Sequence, residues 1–521
     1  MKPFDSSGAF APTVPEGGDA LRRLAVRGAG ATVLFGAAGL AVQVVGTVVL
    51  ARLIGPRDYG LVTMVTTFSI LLVSCGGSSG VPDAVAQCER IDHTLASNLF
   101  WITLGIGVLL TAGFASAGWL LAMFYGEAAL VTLAAGLSLT IVLTSLSVMH
   151  LALLRRAMLF STVARIDLAA KAVSVIVSIA FARAGWGRWA LVMGACALPL
   201  STIVGAWWKC RWLPGGLCYT PETGKLLKVA VHTYGRFSVK YFSSNTDDLL
   251  VGWRFGAFAL GFYKRAYDLF ALSATQLVST TSLVAVSALS RVRGDRAQFH
   301  RYLLGSIAVL AFLGMGIAGD LTLIGKDLIR LLLGPGWEPA GQIFTFFAPG
   351  IGMMLIYGTH GWIHLSIGRA DRWFWWGIVE WVVTTLLFFG GLPWGPQGIA
   401  VAWDLSFWIL TIPAMWYAGK PIGLEIAPVL GAIWRYITAS LLAGLACSLL
   451  LARMPRLAEM AGASGAALRI AVFSASFTLL YLLAIVALHR SLAPLQSVVD
   501  LLKELASINK RPLTAGEADA R

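Results

Sequence analysis

The sequence predicts an all-α polytopic membrane protein with about fourteen transmembrane helices. Three observations carry that expectation. Apolar residues fill 57% of the 521 positions and charged residues only 13%, about half the charged share of a soluble globular domain. The apolar residues fall in long runs, and fourteen spans of ~20 residues would absorb nearly all of them. No connection between runs is long enough to fold by itself, the longest being Lys209–Lys228. A soluble enzyme, a disordered chain and a disulfide scaffold are excluded on these grounds.

Residues 1–28 read as a cytoplasmic tail, disordered over its first twenty residues, which are rich in Gly, Pro, Ser and acid. The apolar stretch from Ala29 to Ile54 is too long for a signal-peptide core and reads as the first span. Further spans are expected at 60–81, 97–124, 128–153, 163–183, 188–208, 229–253, 262–289, 302–324, 341–366, 373–392, 397–418, 430–451 and 466–488.

With the amino terminus inside, 25 of the 40 Lys and Arg fall on the inner side and 12 on the outer, with Lys171, Arg236 and Lys240 inside spans. That bias predicts two cytoplasmic termini. The net charge of +14 is therefore read as topology and attraction to anionic phospholipid rather than to nucleic acid. The basic tail (Arg490, Lys503, Lys510, Arg511) is expected at the inner lipid surface, with docking of a polymerase or export machinery as its alternative role. Trp186, Trp189, Trp207, Trp208, Trp212 and the Trp373–Trp376 cluster fall near span ends, where tryptophan anchors in the headgroup layer. The six cysteines form no CxxC pair and have no accompanying histidine pattern, so no metal centre and no cofactor are expected.

The chain repeats itself. VLARLIGPRDYGLV (49–62) joins spans one and two, and LLVGWRFGAFALGFYK (249–264) joins spans seven and eight. Each contains two glycines five apart, Gly55 and Gly60 against Gly256 and Gly261, at an offset of 201. MFYGEAAL (123–130) matches LLLGPGWEPA (331–340) with Gly126 and Gly334 offset by 208, and Arg155–Arg156 matches Arg369. Two homologous six-span halves follow, at 29–208 and 229–418, joined by a cytoplasmic linker at 209–228. Two additional spans lie within 419–489 and a basic cytoplasmic tail at 490–521. Six is even, so both halves enter from the same side, and two such bundles facing a central cavity are a frame for alternating access.

The seventh span carries His232, Arg236, Lys240, Asn245, Asp247 and Asp248. His232, Arg236 and Lys240 are four apart and share one helical face. An unpaired charge at the bilayer centre costs at least ~2.5–3.5 kcal/mol, so such a face turns to protein or water. Arg236 and Lys240 are candidate contacts for an anionic group crossing the membrane, and Asp247 and Asp248 are candidates for ion coupling. The bland alternative is snorkelling of Arg236 and the aspartates towards opposite interfaces; His232 receives no role. Arg57, Asp58, Arg254, Lys264 and Arg265, with Arg52 and Asp268, are candidates for a gate. Lys171 is expected to pair with Asp167 at i, i+4.

LARLIGPRDYGL (50–61), SNTDDLLVGWRFGAFALGFYKRAYDL (244–269) and LLLGPGWEPA (331–340) make the chain resemble the polysaccharide-exporter branch of the multidrug/oligosaccharidyl-lipid/polysaccharide superfamily, from about Arg27 to Arg372. The resemblance implies two six-helix bundles around a central cationic cavity that flips a lipid-linked oligosaccharide, an undecaprenyl-pyrophosphate-linked repeat unit of exopolysaccharide, capsule or O-antigen, across the bacterial inner membrane. Arg52, Arg236 and Lys240 are the positions that would contact the pyrophosphate. No GxxxxGK[ST] loop occurs, so ATP hydrolysis by this chain is not expected. The rivals are a cation-coupled drug antiporter of the same superfamily, which calls for an acidic or aromatic cavity, and a glycan-processing membrane enzyme. No paired carboxylates or His/Asp constellation on an external loop mark such an enzyme, so no catalytic residue is assigned. A scaffold without transport activity is the third alternative.

Overall fold

The computed structural model describes residues 1–11, 18–75, 80–88, 90–218, 221–454, 460, 462–492 and 496; helical side chains at 18–29, 232–233, 236, 239–240 and 272–281, together with a few single positions, lie outside the described residues. Helices run in the order α1 (Gly18–Leu53), α2 (Pro56–Val73), α3 (Val81–Gln87), α4 (His93–Ser116), α5 (Gly118–Tyr125), α6 (Ala129–Arg156), α7 (Phe160–Arg183) and α8 (Arg188–Cys210). They continue with α9 (Pro221–Arg291), α10 (Arg296–Leu333), α11 (Glu338–Phe347), α12 (Gly350–Ser366), α13 (Ala370–Gly391), α14 (Gly395–Gly419), α15 (Ile426–Ala452) and α16 (Gly462–His489). The described residues contain no extended strand, only isolated bridges near the amino terminus. The protein is an all-α, multi-pass membrane protein.

A described helix overlies each of the fourteen expected segments. Among the described residues eight segments are long and apolar enough to cross a membrane, and α11 with α12, bent by 45°, makes a ninth as one broken span. One of the eight, 371–422, covers two expected spans. The bend in the tenth span falls at Ala348–Pro349, where proline lacks an amide proton for the helical ladder.

The chain divides into two compact units. One comprises Met1–Arg265 with Leu332–Trp337 and Leu392–Ile399; the other comprises Ala266–Leu331, Glu338–Gly391 and Ala400–Arg521.

In the first unit, residues 1–11 depart from the expected disorder. Phe4 bridges Phe10, Ala9 bridges Asp92, and the His93 amide donates to the Gly8 carbonyl at 2.9 Å. Phe4 sits against Trp212, and the Arg156 guanidinium lies over the Phe10 ring at 5.4 Å. The aromatic residues at 4 and 10 thus give a polar segment enough apolar surface to join the core formed by Leu95, Leu99, Phe100, Met149 and Leu153. The start of the linker is held as well. Ser97 Oγ accepts from the Gly215 amide at 2.8 Å, Trp101 donates to the Gly215 carbonyl, and Asn98 hydrogen-bonds both the amide and the carbonyl of Cys218.

α9 is two helices in one run. Gly256 has φ 78° and ψ −176°, a conformation open essentially to glycine alone. The Tyr263 hydroxyl donates to Asp247 Oδ2 at 2.7 Å, and Lys264 Nζ lies 2.9 Å from Asp248 Oδ2. In a straight helix residues sixteen apart lie ~24 Å apart, so the chain folds back at Gly256 and the two links fasten the hairpin.

The repeat extends beyond the sequence matches. Residues of positive φ stand at corresponding helix ends, at Gly126 and Gly334, Met158 and Gly368, Gly187 and Gly395, and Arg211 and Gly423. Met158 and Arg211 hold without glycine a backbone that the second half gives to glycine, so they carry strain that their counterparts avoid. Gly60 and Gly261 are matched by contact. A Cβ on Gly60 would collide with the Ala257 carbonyl, and one on Gly261 with the Pro56 carbonyl. Both contacts obey the offset of 201, so the N-terminal turns of the two matching helices cross reciprocally, as across a two-fold axis. Small residues permit this close backbone approach.

In the second unit the last two helices dock on α10 through polar contacts. Ser440 donates to the Met315 carbonyl at 2.8 Å and Tyr481 to the Phe312 carbonyl at 2.7 Å. Arg469 makes two bonds to Asp327, at 2.6 and 2.8 Å, and Ser474 donates to Asp320 at 3.1 Å.

Alanine at Gly60 or Gly261 is expected to push α2 and the second segment of α9 apart. With a cysteine at the fully buried Leu260 in a cysteine-free background, maleimide labelling rises in either alanine variant; unchanged labelling would show that the helices are not tightly crossed. Asp327→Ala strands the Arg469 guanidinium, which is 9% exposed. The expected loss is about 3 kcal/mol, read as a lower melting temperature of the solubilised protein. Restoration by the double variant Asp327→Leu/Arg469→Leu separates loss of the pair from loss of packing.

Candidate functional site

The first segment of α9 and the hairpin turn after it hold most of the sequence-derived candidates. The backbone of Arg236 and Lys240 is helical and four residues apart, as expected; their side chains, with that of His232, lie outside the described residues. Further along the helix Tyr241 donates from its hydroxyl to the Thr67 carbonyl of α2 at 2.8 Å, fixing this part of α9 to the first repeat.

Asp247 and Asp248 are 2% and 3% exposed. Each has a partner across the hairpin at its Oδ2, a neutral hydroxyl for Asp247 and an ammonium for Asp248. Lys264, expected at a gate, is therefore the counter-ion of Asp248, while Tyr263, absent from the sequence-derived set, is the partner of Asp247. Its signal in the sequence is symmetry: 247 with 263 and 248 with 264 are each centred on the turn at Phe255–Gly256. Tyr125 packs beside Gly252, and its buried hydroxyl has no hydrogen-bond partner among the described residues.

The three segments that carry the family resemblance meet in one cluster. Trp337, from LLLGPGWEPA, is 2% exposed and donates from Nε1 to the Ala51 carbonyl at 2.9 Å. Its ring meets Tyr59 edge-on at 5.8 Å and Phe262 at 5.8 Å. The Arg265 guanidinium lies 4.1 Å from the centre of the Tyr59 ring, a cation–π contact strengthened by exclusion of water. Arg52 Nε donates to the Leu332 carbonyl at 3.1 Å. Residues far apart in sequence are thus brought together where the repeats cross at Gly60 and Gly261.

The remaining candidates are dispersed. Arg57 pairs with Glu127 at 3.2 Å, a partner not foreseen, and its side chain is 55% exposed. Asp58 Oδ2 faces Gly187 at the start of α8, Arg254 is exposed beside Phe255, and Asp268 is half-buried in the second unit. Lys171 and Asp167 form the expected i, i+4 pair at 2.7 Å. A cleft of about 370 Å³ among α1, α6, α7 and α8 is lined by Thr32, Gly36, Leu151, Arg155, Phe160 and Asp167. A smaller one of about 100 Å³ is lined by Ser74, Leu99, Thr103, Leu227 and Tyr234. Among the described residues no group of three or more His, Cys, Asp or Glu is arranged to hold a metal.

The fold is that of a solved lipid II flippase, MurJ, in an inward closed conformation, with a TM-score of 0.70 and 16% identity over 88% of this chain and 100% of that one. An inward-facing multidrug transporter of the MATE family gives a TM-score of 0.58 with 14% identity over 74% of this chain and 94% of that one. In sequence the chain is 21% identical over 359 residues to the succinoglycan biosynthesis transport protein ExoT of Rhizobium meliloti, covering 69% of this chain and 72% of that protein. It is 21% identical over 401 residues to the lipopolysaccharide biosynthesis protein WzxC of Escherichia coli, covering 75% and 79%. Residues 49–342 match the polysaccharide biosynthesis protein family, a stretch that includes all three motifs of the cluster. The chain belongs to that family.

Proposed function

We propose that this protein is a flippase that moves a lipid-linked polysaccharide repeat unit outward across the bacterial inner membrane by alternating access. The observation that carries the reading is the reciprocal crossing of the two repeats at Gly60 and Gly261, placed beside a helix that bears Arg236 and Lys240. Two repeats joined through small residues and a few polar bonds form a joint able to open without breaking a continuous core. The names of the relatives support the same reading: one is a succinoglycan transport protein and one fold neighbour is a lipid II flippase.

In this reading fourteen helices cross the membrane with both termini cytoplasmic, as two six-helix bundles at 29–208 and 229–418 and a further pair within 419–489. The lipid tail of the substrate stays in the bilayer. Its phosphates and sugars need a hydrated, positive passage, which Arg236 and Lys240 supply; guanidinium suits bidentate phosphate contact and ammonium acts as a point charge. Arg52, Arg57, Asp58, Arg254, Lys264 and Arg265 belong to the outer closure, where the Arg265–Tyr59 contact and the Arg52 bond to Leu332 must part for release. Asp247 and Asp248 tie the hairpin when both links are made; ion coupling acts by changing those links. The protein acts as a transporter rather than an enzyme, on a lipid-linked oligosaccharide made elsewhere in the same pathway. Two cations on α9 favour this substrate over the cationic substrate of a drug antiporter.

Arg236→Ala and Lys240→Ala are each expected to lower export of the lipid-linked unit by roughly 10- to 100-fold, the worth of one hydrogen bond to a charged group, with membrane levels unchanged. Normal export by both variants would remove the cationic site. Asp247→Asn keeps the shape but changes the Tyr263 link, and is expected to alter the ion dependence of export; an unaltered dependence excludes Asp247 from coupling.

A further inference from the structure

On α12 to α14 the second repeat carries a line of aromatic, histidine and charged side chains whose counterparts in the first repeat are, with one exception, small or apolar. On α12, Tyr357, His360 and His364 share one face and are 5%, 4% and 0% exposed. On α13, Arg372, Trp376 and Glu380 recur every four residues. The Trp376 indole donates to the Tyr357 hydroxyl at 2.9 Å, and that hydroxyl is hydrogen-bonded in turn to Glu380, ten residues from the start of α13. His360 Nδ1 lies 2.5 Å from the Tyr357 carbonyl, and the His360 and His364 rings are 6.1 Å apart. His364 meets Tyr417 of α14 at 5.8 Å, and Arg372 caps that tyrosine at 4.1 Å while bonding its carbonyl. The line ends at Arg369 and Asp371, an exposed pair at 2.9 Å.

Two facts require a reason for this line. His364 is fully buried, yet neither ring nitrogen has a hydrogen-bond partner among the described residues; a stranded imidazole is costly unless water reaches it. The first repeat also shows that the fold does not need these groups. At the offset of 210 set by the Met158 and Gly368 turns, Tyr357, His364, Arg372 and Glu380 correspond to Ser147, Leu154, Thr162 and Ala170. Only the histidine at 360 has a counterpart, His150, and that ring is stacked on Trp207 at 4.4 Å and bonded to the Trp212 carbonyl.

The geometry points to a proton path in the second repeat, running from Asp371 through His364 and His360 to Tyr357 and Glu380. This rests on the flippase reading, for which it supplies a coupling route separate from Asp247 and Asp248. A proton arriving by water is taken on one ring nitrogen of His364 and released from the other, leaving the imidazole neutral. His360 takes it on Nε2 and gives up its Nδ1 proton, turned from the Tyr357 carbonyl to the Tyr357 hydroxyl; that hydroxyl passes its own proton to the Glu380 carboxylate and neutralises it, so that both imidazoles and the tyrosine end neutral. Among the described residues, the other groups facing the histidines are Arg369, Arg372 and Trp376 from α13 and its preceding turn, and Tyr417 from α14. A histidine line leading to a membrane carboxylate is a general form of proton relay.

The test uses the full-length protein labelled with [15N]histidine in lipid nanodiscs, together with export in cells lacking their own copy. The His364 resonance, assigned by its loss in His364→Gln, titrates with bulk pH, and its midpoint moves in Glu380→Gln. Collapsing a gradient of one pH unit with nigericin slows wild-type export by up to about tenfold, the worth of one proton per cycle. Glu380→Gln and His364→Gln export at the slowed rate with or without nigericin, whereas His150→Gln keeps the wild-type response. A His364 resonance that does not titrate, or variants that retain the nigericin response, would overturn the path. Failure of the wild type to export any lipid-linked unit would instead overturn the flippase reading, and the histidine titration would then decide the path alone.

Discussion

A charged group in hydrocarbon must bring its partner with it, and in this chain that requirement determines which helices stand together. Asp247 and Asp248 could not be buried in α9 without Tyr263 and Lys264, so the seventh and eighth expected spans are stable only as a hairpin. The same holds for α10 and α16, where Asp327 and Arg469 bond in parallel. Apolar contact does not distinguish one helix partner from another in a bilayer, because lipid tails are as apolar as leucine. Specific association has to come from close packing and hydrogen bonding. Here polar ties hold the hairpin of α9 and join α10 to the last helix pair, while the crossing between repeats combines close glycine contacts with a few bonds to backbone carbonyls.

That division has a mechanical consequence. A crossing made by Gly60 and Gly261 against carbonyl groups gains dispersion energy from close backbone approach. Around it, Trp337 on Ala51 and Arg265 over Tyr59 add a few directional contacts, each of modest worth. An aspartate–lysine pair spanning the two repeats would carry a much larger opening cost, since separating it would strand charge at membrane depth. Asp248 and Lys264 lie on one hairpin, so their pair joins two helices of the same repeat.

Helix positions were legible because a membrane helix reports itself through length and apolarity, and the duplication was legible because glycine pairs with fixed spacing survive where side chains change. Turn chemistry at Met158 and Arg211 was hidden, since neither residue type announces a left-handed backbone. The partner of Asp247 was hidden for a different reason: helical periodicity relates residues three or four apart, whereas the hairpin brings together residues sixteen apart, on either side of its turn. Arg57 likewise found Glu127 instead of the aspartates nearer in the reading, because exposed arginines reach whichever carboxylate the tertiary fold brings near. The amino-terminal segment misled by composition. Its polar residues read as disorder, yet Phe4 and Phe10 on the two arms of one turn suffice to hold it on Trp212 and Arg156.

The same reasoning explains why two similar halves need not do similar work. Duplicated helices begin with identical packing demands, so the positions free to diverge are those where a change of polarity can be accommodated. In the first repeat His150 is held between Trp207 and the Trp212 carbonyl, close to Phe4 of the amino-terminal segment, and the linker start is fastened beside it. Such a region tolerates no water and gains by keeping Leu154 and Ala170 apolar. In the second repeat the corresponding face carries His364 and Glu380 beside Tyr357 and Tyr417, groups that repay burial when they are hydrogen-bonded, as Tyr357 is to Trp376 and Glu380. Polar side chains are thus buried in both repeats, hydroxyls and one histidine bonded to backbone carbonyls around α6 and a histidine pair beside tyrosines and Glu380 around α12, so matching helices of the two repeats carry different chemistry.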